Sequence, residues 1–197
     1  MRLMKQRIEN FYKQDIFNMF HKKDNPFSFV TTRIDITNIY KLCQEKKHIY
    51  ATMGYYLCHA LNEVEEFKYR FEENNFYKYD KINPSYTEQY SDGTIGFFTV
   101  PLKEDYKAFI EDYIKIKDKF LKRDYKEEEQ QNVVWLSCEP WFNFTSVISP
   151  YEKDLTIPQL IWDKFIFIDH HVYTNLMIMS HHGFVDGAHI GQFLGSR

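Results

Sequence analysis

The sequence has no CxxC pair, no glycine-rich phosphate loop and no long apolar run, and each absence removes a class of function. Three scattered cysteines (Cys43, Cys58 and Cys138) cannot all pair with one another, so a reducing compartment fits better than a disulfide-stapled extracellular fold. Without a Walker-type string or a GxGxxG, nucleotide hydrolysis and dinucleotide binding have no phosphate cradle. The longest apolar stretches are interrupted by charges or histidines well short of the ~20 residues a membrane span needs. Residues 1–10 carry basic side chains but no apolar signal core. A net charge of −3 gives no electrostatic reason to expect nucleic acid or an anionic membrane. The expectation is a cytoplasmic protein with neither kind of partner.

What the chain does contain is hydrophobic and aromatic residues, 44% and 18% of its 197 positions, enough to bury a real core. There is no repeat, no low-complexity linker and no break in composition, so residues 1–197 read as one domain. Residues 15–20 read as a short helix, and 27–36 as a strand with Phe27, Phe29 and Thr31 alternating. Thr37 is placed to cap a helix through Lys46. A second helix, over 50–64, is apolar on most sides and therefore expected to be buried. Residues 67–79 carry a hairpin pattern turning at Glu73-Asn74-Asn75, and 94–100 a further strand. From 103 to 131 the period becomes helical, with Tyr106, Phe109, Ile110, Tyr113 and Phe120 on one stripe and Glu127 to Glu129 on the solvated face. Residues 133–149 look extended and aromatic, 164–180 form a hairpin around Asp169-His170-His171, and Ile190, Phe193 and Leu194 mark a closing helix. The expected class is α+β: a two-layer sandwich of a mixed, mostly antiparallel sheet packed with helices.

The chemistry concentrates near the end of the chain, in Ser180-His181-His182-Gly183-Phe184-Val185-Asp186-Gly187-Ala188-His189. Histidine titrates near neutrality, which makes it the natural general base at cellular pH. Asp186 can cap a helix, orient a ring or pair with a cation. A bare HxxxD is weak, because structural polar pairs also have this spacing. The fuller HHxxxDG, directly after the apolar run from Leu176 to Met179, is far more specific. By contrast, His170-His171 has no third ligand at metal spacing and reads as a solvated hairpin tip, so no metal is expected.

The HHxxxDG string resembles the active-site signature of the chloramphenicol acetyltransferase family, and the resemblance extends along the chain. Pro140-Trp141-Phe142-Asn143-Phe144-Thr145-Ser146 resembles the family's PWxxFxS segment. Ile34-Asp35-Ile36-Thr37 resembles its LDIT-like helix entry, and Asn83-Pro84-Ser85-Tyr86-Thr87 its HPxYT segment. The resemblance implies a CoA-dependent acyltransferase fold and direct acetyl transfer from acetyl-CoA to a hydroxyl of chloramphenicol. It implies a homotrimer with each active site between subunits, built from Ser146 and His182 of facing surfaces. His182 would be the base and Ser146 the donor to the developing oxyanion, a role in which one lost donor typically costs about 3 kcal/mol. Asp186 would be a structural brace, paired in the family with an early arginine. Lys13 falls at that position here and keeps the charge without the bidentate fork, with Arg33 as an alternative partner. His181 points away from His182 if the strand continues and is expected to be supporting. His189 is expected to be packing or pocket edge.

Other departures concern the acceptor. The family's pocket tyrosine aligns with Phe27 or Ser28, its threonine with Ile161, and an aromatic after the Asp-Gly with Ala188. Together with Phe144, Phe27 and Ile161 define the expected pocket. Because a site built around a hydroxyl discriminates strongly, these losses leave open another small alcohol as acceptor. Two further readings are a catalytically inactive trimeric binding protein and a diverged relative of the acyltransferase cores of 2-oxo-acid dehydrogenase complexes. The doubled histidine and the lack of a lipoyl or subunit-binding linker oppose the last.

Overall fold

A computed structural model describes residues 5–46, 48–126 and 130–195. The chain opens with β1 (Lys5–Ile8), α1 (Gln14–His21), β2 (Phe27–Asp35), α2 (Thr37–Lys46) and α3 (Ile49–Asn62). A 3-10 turn at Glu65–Lys68 leads into β3 (Tyr69–Glu72), β4 (Asn75–Tyr79), β5 (Asn83–Gln89) and β6 (Ile95–Thr99). After α4 (Tyr106–Leu121) come β7 (Val133–Glu139), β8 (Gln159–Asp163), β9 (Ile166–Ile168), β10 (His171–His181) and α5 (Gly187–Phe193).

The main sheet has the order β2-β10-β8-β7-β5-β6, with β9 paired to the start of β10. Its β5–β7 and β7–β8 ladders are parallel and the others antiparallel, so it is a mixed, mostly antiparallel sheet. A small antiparallel sheet, β1-β4-β3, lies apart from it. The two faces of the main sheet have different fates. Val134, Leu136, Leu160, Trp162, Leu176 and Ile178 point into the principal core, where α3 and α4 cover them with Met53, Leu61, Phe109 and Phe120. Strand residues alternate faces, so Ile161, Met177 and Met179 emerge on the other side in a second, smaller apolar cluster.

Several expected boundaries shift for identifiable reasons. Thr37 is the first helical residue and not the cap; the Asp35 carboxylate accepts from the Thr37 amide at 2.8 Å and from its hydroxyl. The long helix stops at Leu121, because Arg123 takes a left-handed φ of 58° and the chain turns away. The expectation for Glu127 to Glu129 lies outside the described residues. The strand expected over 133–149 ends at Glu139, where Pro140 has no amide to donate and begins an irregular loop. Three strands escaped notice: β1, β5 and β8. The 67–79 hairpin turns on Glu73 and Asn74, both at positive φ, as a two-residue turn with the twist of its strands requires.

Layer spacing depends on Gly54. A Cβ there would meet Leu136 Cδ1 at 2.7 Å and press still harder on the Tyr86 ring, so α3 lies almost against β5 and β7. Gly54→Ala is expected to cost about 1–3 kcal/mol of stability through overpacking, read as a lower urea midpoint at unchanged slope.

Candidate active site

Strand β10 delivers the histidine pair. Its antiparallel register with β2 runs from Tyr173↔Asp35 to His181↔Phe27, and the His182 amide then donates to the Pro26 carbonyl at 2.9 Å. The chain reverses at once, with the Phe184 and Val185 amides both returning to the His181 carbonyl. Gly183 makes this reversal possible against α1: a Cβ would lie 2.6 Å from the Phe17 Cα. The turn that carries His182 is thus wedged against the first helix.

His182 is half-buried, with the Phe20 ring edge-on to its imidazole at 4.4 Å. Its Nδ1 lies 3.2 Å from the Val185 carbonyl. A carbonyl oxygen only accepts, so the proton sits on Nδ1 and Nε2 presents a lone pair. The backbone of the turn therefore fixes the tautomer a general base requires.

His181 is in a different environment, 1% exposed and stacked on Phe17 at 4.4 Å. The Gly183 amide donates to its Nδ1 at 3.1 Å, and its Nε2 has no hydrogen-bond partner among the described residues. Burial, with the nearby His21 and His182 adding to it, lowers its pKa from 6.5 to about 3. His181 is a neutral packing residue at all physiological pH values.

Asp186 is the N-cap of α5, accepting from the Ala188 amide at 2.9 Å, and His189 Nδ1 meets the Asp186 amide at 3.1 Å to complete a capping box. Ala188, at the family's aromatic position, is exposed. Lys13 Nζ is 3.6 Å from Asp186 Oδ2 and donates to the Phe184 carbonyl at 3.1 Å. Arg33, the alternative partner, instead reaches Asn175 Oδ1 at 3.5 Å. Partial burial would raise the Asp186 carboxyl, but the Ala188 amide, His189 and Lys13 overcome this and hold it below its ordinary value. His189 is more than packing, since its Nε2 also reaches Glu66 at 3.2 Å.

The expected pocket residues meet as well, in a cluster whose Phe27 ring lies 5.6 Å from that of His181. Phe27, Phe144 and Ile161 share the second apolar cluster with Met177 and Met179. Beside them, a cavity of about 920 Å³ opens on the uncovered sheet face, lined by Thr87, Phe97, Trp135, Ser137, Val147 and Ile161 among others. Ser146 is exposed in the loop after β7, not in a strand, and no hydrogen bond joins it to His182 among the described residues. Of the other paired histidines, His171 is not at a free tip: it closes β9 onto β10 and meets Asp35 at 2.8 Å. No group of three or more potential metal ligands occurs among the described residues.

A sequence profile described as chloramphenicol acetyltransferase matches residues 1–196. The chain belongs to that family. It is accordingly an acyltransferase. A Staphylococcus aureus protein named chloramphenicol acetyltransferase is 28% identical over 198 residues, covering 96% of this chain and 91% of the relative. A solved chloramphenicol acetyltransferase superposes with a TM-score of 0.84 at 23% identity, covering 98% and 97% of the two chains. The cubic core of the pyruvate dehydrogenase multienzyme complex gives 0.65 at 12% identity, covering 97% and 88%, and shares the fold. The family resemblance, the enzyme class and the layered α+β architecture all stand.

Two measurements test this geometry. Because the folded pKa of His181 is lowered, the unfolded chain takes up more protons below pH 6.5, so stability is expected to fall as pH drops from 6.5 toward 3. A His181→Gln variant is expected to show a shallower slope of melting temperature against pH. Lys13→Met is expected to cost only about 1–2 kcal/mol, since the ion pair is partly exposed and the carbonyl bond is a single one; chemical denaturation measures it.

Proposed function

We propose that the protein is a cytoplasmic, single-domain O-acetyltransferase that moves the acetyl group of acetyl-CoA directly to a hydroxyl of chloramphenicol. The observation that carries this reading is the imidazole of His182, with Nδ1–H committed to the Val185 carbonyl and Nε2 left as a base, within the HHxxxDG string of a family member. Relatives named chloramphenicol acetyltransferase support the choice of acceptor.

In this reading Nε2 of His182 takes the acceptor's hydroxyl proton as its oxygen attacks the thioester carbonyl. The Ser146 hydroxyl donates to the resulting oxyanion. Collapse breaks the carbon–sulfur bond, and the imidazolium returns its proton to the departing CoA thiolate. The protein's contribution is to hold both substrates in line and to fix one tautomer, with no acyl-enzyme. Asp186, Lys13 and His189 brace the turn carrying the base.

No hydrogen bond joins Ser146 to His182 among the described residues and His182 does not line the cavity, which favours a homotrimer in which each site forms between subunits. One subunit would supply His182, and its neighbour Ser146 together with the pocket of Phe27, Phe144 and Ile161. The exposure of Ile95, Phe97 and Ile148 on that side fits a surface covered by another copy. A second reading keeps the chemistry but changes the acceptor to another small alcohol. Ile161, buried without a hydroxyl beside the cavity, favours it.

Purified protein with acetyl-CoA and chloramphenicol is expected to release free CoA thiol. His182→Ala is expected to lower the rate about 10²–10⁴-fold and Ser146→Ala about 10²–10³-fold. Release with other hydroxylated compounds but not chloramphenicol selects the second reading; no release with any acceptor ends both.

A further inference from the structure

One polar cluster lies outside the histidine turn. Asp163, the last residue of β8, has a carboxylate at 0% exposure with no cation bonded to it among the described residues. Four groups donate to it: the Asn175 amide (2.8 Å), Asn175 Nδ2 (2.7 Å), the Thr174 hydroxyl (2.9 Å) and the Phe144 amide (3.1 Å). Burial alone would raise this carboxyl, but the donors outweigh it and hold it below its ordinary value. Both Nδ2 protons of Asn175 are used, on Asp163 and on the Phe144 carbonyl (3.0 Å), and Oδ1 accepts from Arg33.

The result is a clamp on one residue. Phe144 has left the sheet, five positions beyond the end of β7, yet both its backbone polar groups are satisfied, one by each member of a side-chain pair. Neighbouring positions add to the attachment: the Lys164 amide donates to the Phe142 carbonyl, and Asn143 donates to the Lys164 carbonyl. A buried carboxylate is a poor source of net stability compared with apolar packing of the same volume. What it supplies is geometry: four donors fix the carboxylate, and the carboxylate fixes the loop.

Two residues further on is Ser146, exposed and without regular structure. Two Cα steps span at most about 7–8 Å, so Phe144, whose amide and carbonyl are both hydrogen-bonded, anchors the chain on one side of that hydroxyl, while Val147 packs against the second apolar cluster on the other. We infer that Asp163 and Asn175 are positioning residues for acyl transfer, clamping Phe144 so that the Ser146 hydroxyl is held where the oxyanion develops. This rests on the transferase reading above and adds to it two residues that never touch the reacting atoms.

The test combines kinetics with hydrogen exchange on Asn175→Ala, Asp163→Asn, Ser146→Ala and the Asn175→Ala/Ser146→Ala double variant. A misplacement of about 1 Å can cost on the order of 10²-fold in rate, so Asn175→Ala and Asp163→Asn are each expected to lower kcat by roughly that factor with acceptor KM nearly unchanged. Amides of residues 142–147 are expected to exchange faster in both. In the Ser146→Ala background, Asn175→Ala is expected to cost less than about twofold further, because its effect passes through a hydroxyl already removed. Equal losses in the two backgrounds, a loss carried by KM, or unchanged exchange over 142–147 would overturn the inference. Failure of the transferase reading looks different: the wild type itself releases no CoA thiol, and the inference falls with it whatever the exchange shows. If Asp163→Asn does not fold, Asn175→Ala, which leaves the carboxylate and its Phe144 bond in place, decides alone.

Discussion

The structure hangs on the pairing of β10 with β2. Nine consecutive register pairs join them, from Tyr173↔Asp35 to His181↔Phe27, and β8 and β9 close the other edge of β10. An antiparallel ladder with one face buried resists slippage, because a shift of one residue would exchange every inward side chain for an outward one. Here such a shift would move Leu176 and Ile178 out of the principal core and Met177 and Met179 into it. It would also misplace His182, whose amide continues the ladder's hydrogen bonding to Pro26. The location of His182 is therefore set by the same pattern that sets the core.

That arrangement divides the chemistry between two regions. At the end of β10 lie His182, its fixed tautomer and a braced turn, while the uncovered face of the sheet holds an apolar cluster, a cavity and the loop with Ser146. The helices protect one face only. The other carries large apolar side chains at the surface, including Ile95, Phe97 and Ile148. Such a face is costly to leave in water, and the cavity on it shares the fate of whatever covers that face.

Much of this was legible in the sequence, and what was not shares a physical cause. HHxxxDG, Ser146 and the trio of Phe27, Phe144 and Ile161 were singled out through the family resemblance, and the trio shares one apolar cluster. Helix α3 announced itself through its apolar composition. Strand β8 did not, since Gln159–Asp163 is short, buried at every position and follows an irregular loop, so neither alternation nor turn residues mark it. Thr37 was a reasonable cap by propensity, yet the strand-end carboxylate of Asp35 was already in place to serve. The Asp163–Asn175–Phe144 clamp was invisible for another reason: its members are separated by 12, 19 and 31 positions and meet only once the sheet has formed.

The buried histidine beside His182 has one more consequence. Burial lowers its pKa far below neutrality, so its ring places no fixed positive charge next to His182. Two adjacent imidazoles with comparable affinities would share one proton and repel a second, so that proton uptake would belong to the pair and to neither ring. Sealing His181 against Phe17 breaks that symmetry. Of the doublet in the sequence, His182 alone keeps its ring partly exposed in the folded protein, and the other ring serves as aromatic filling.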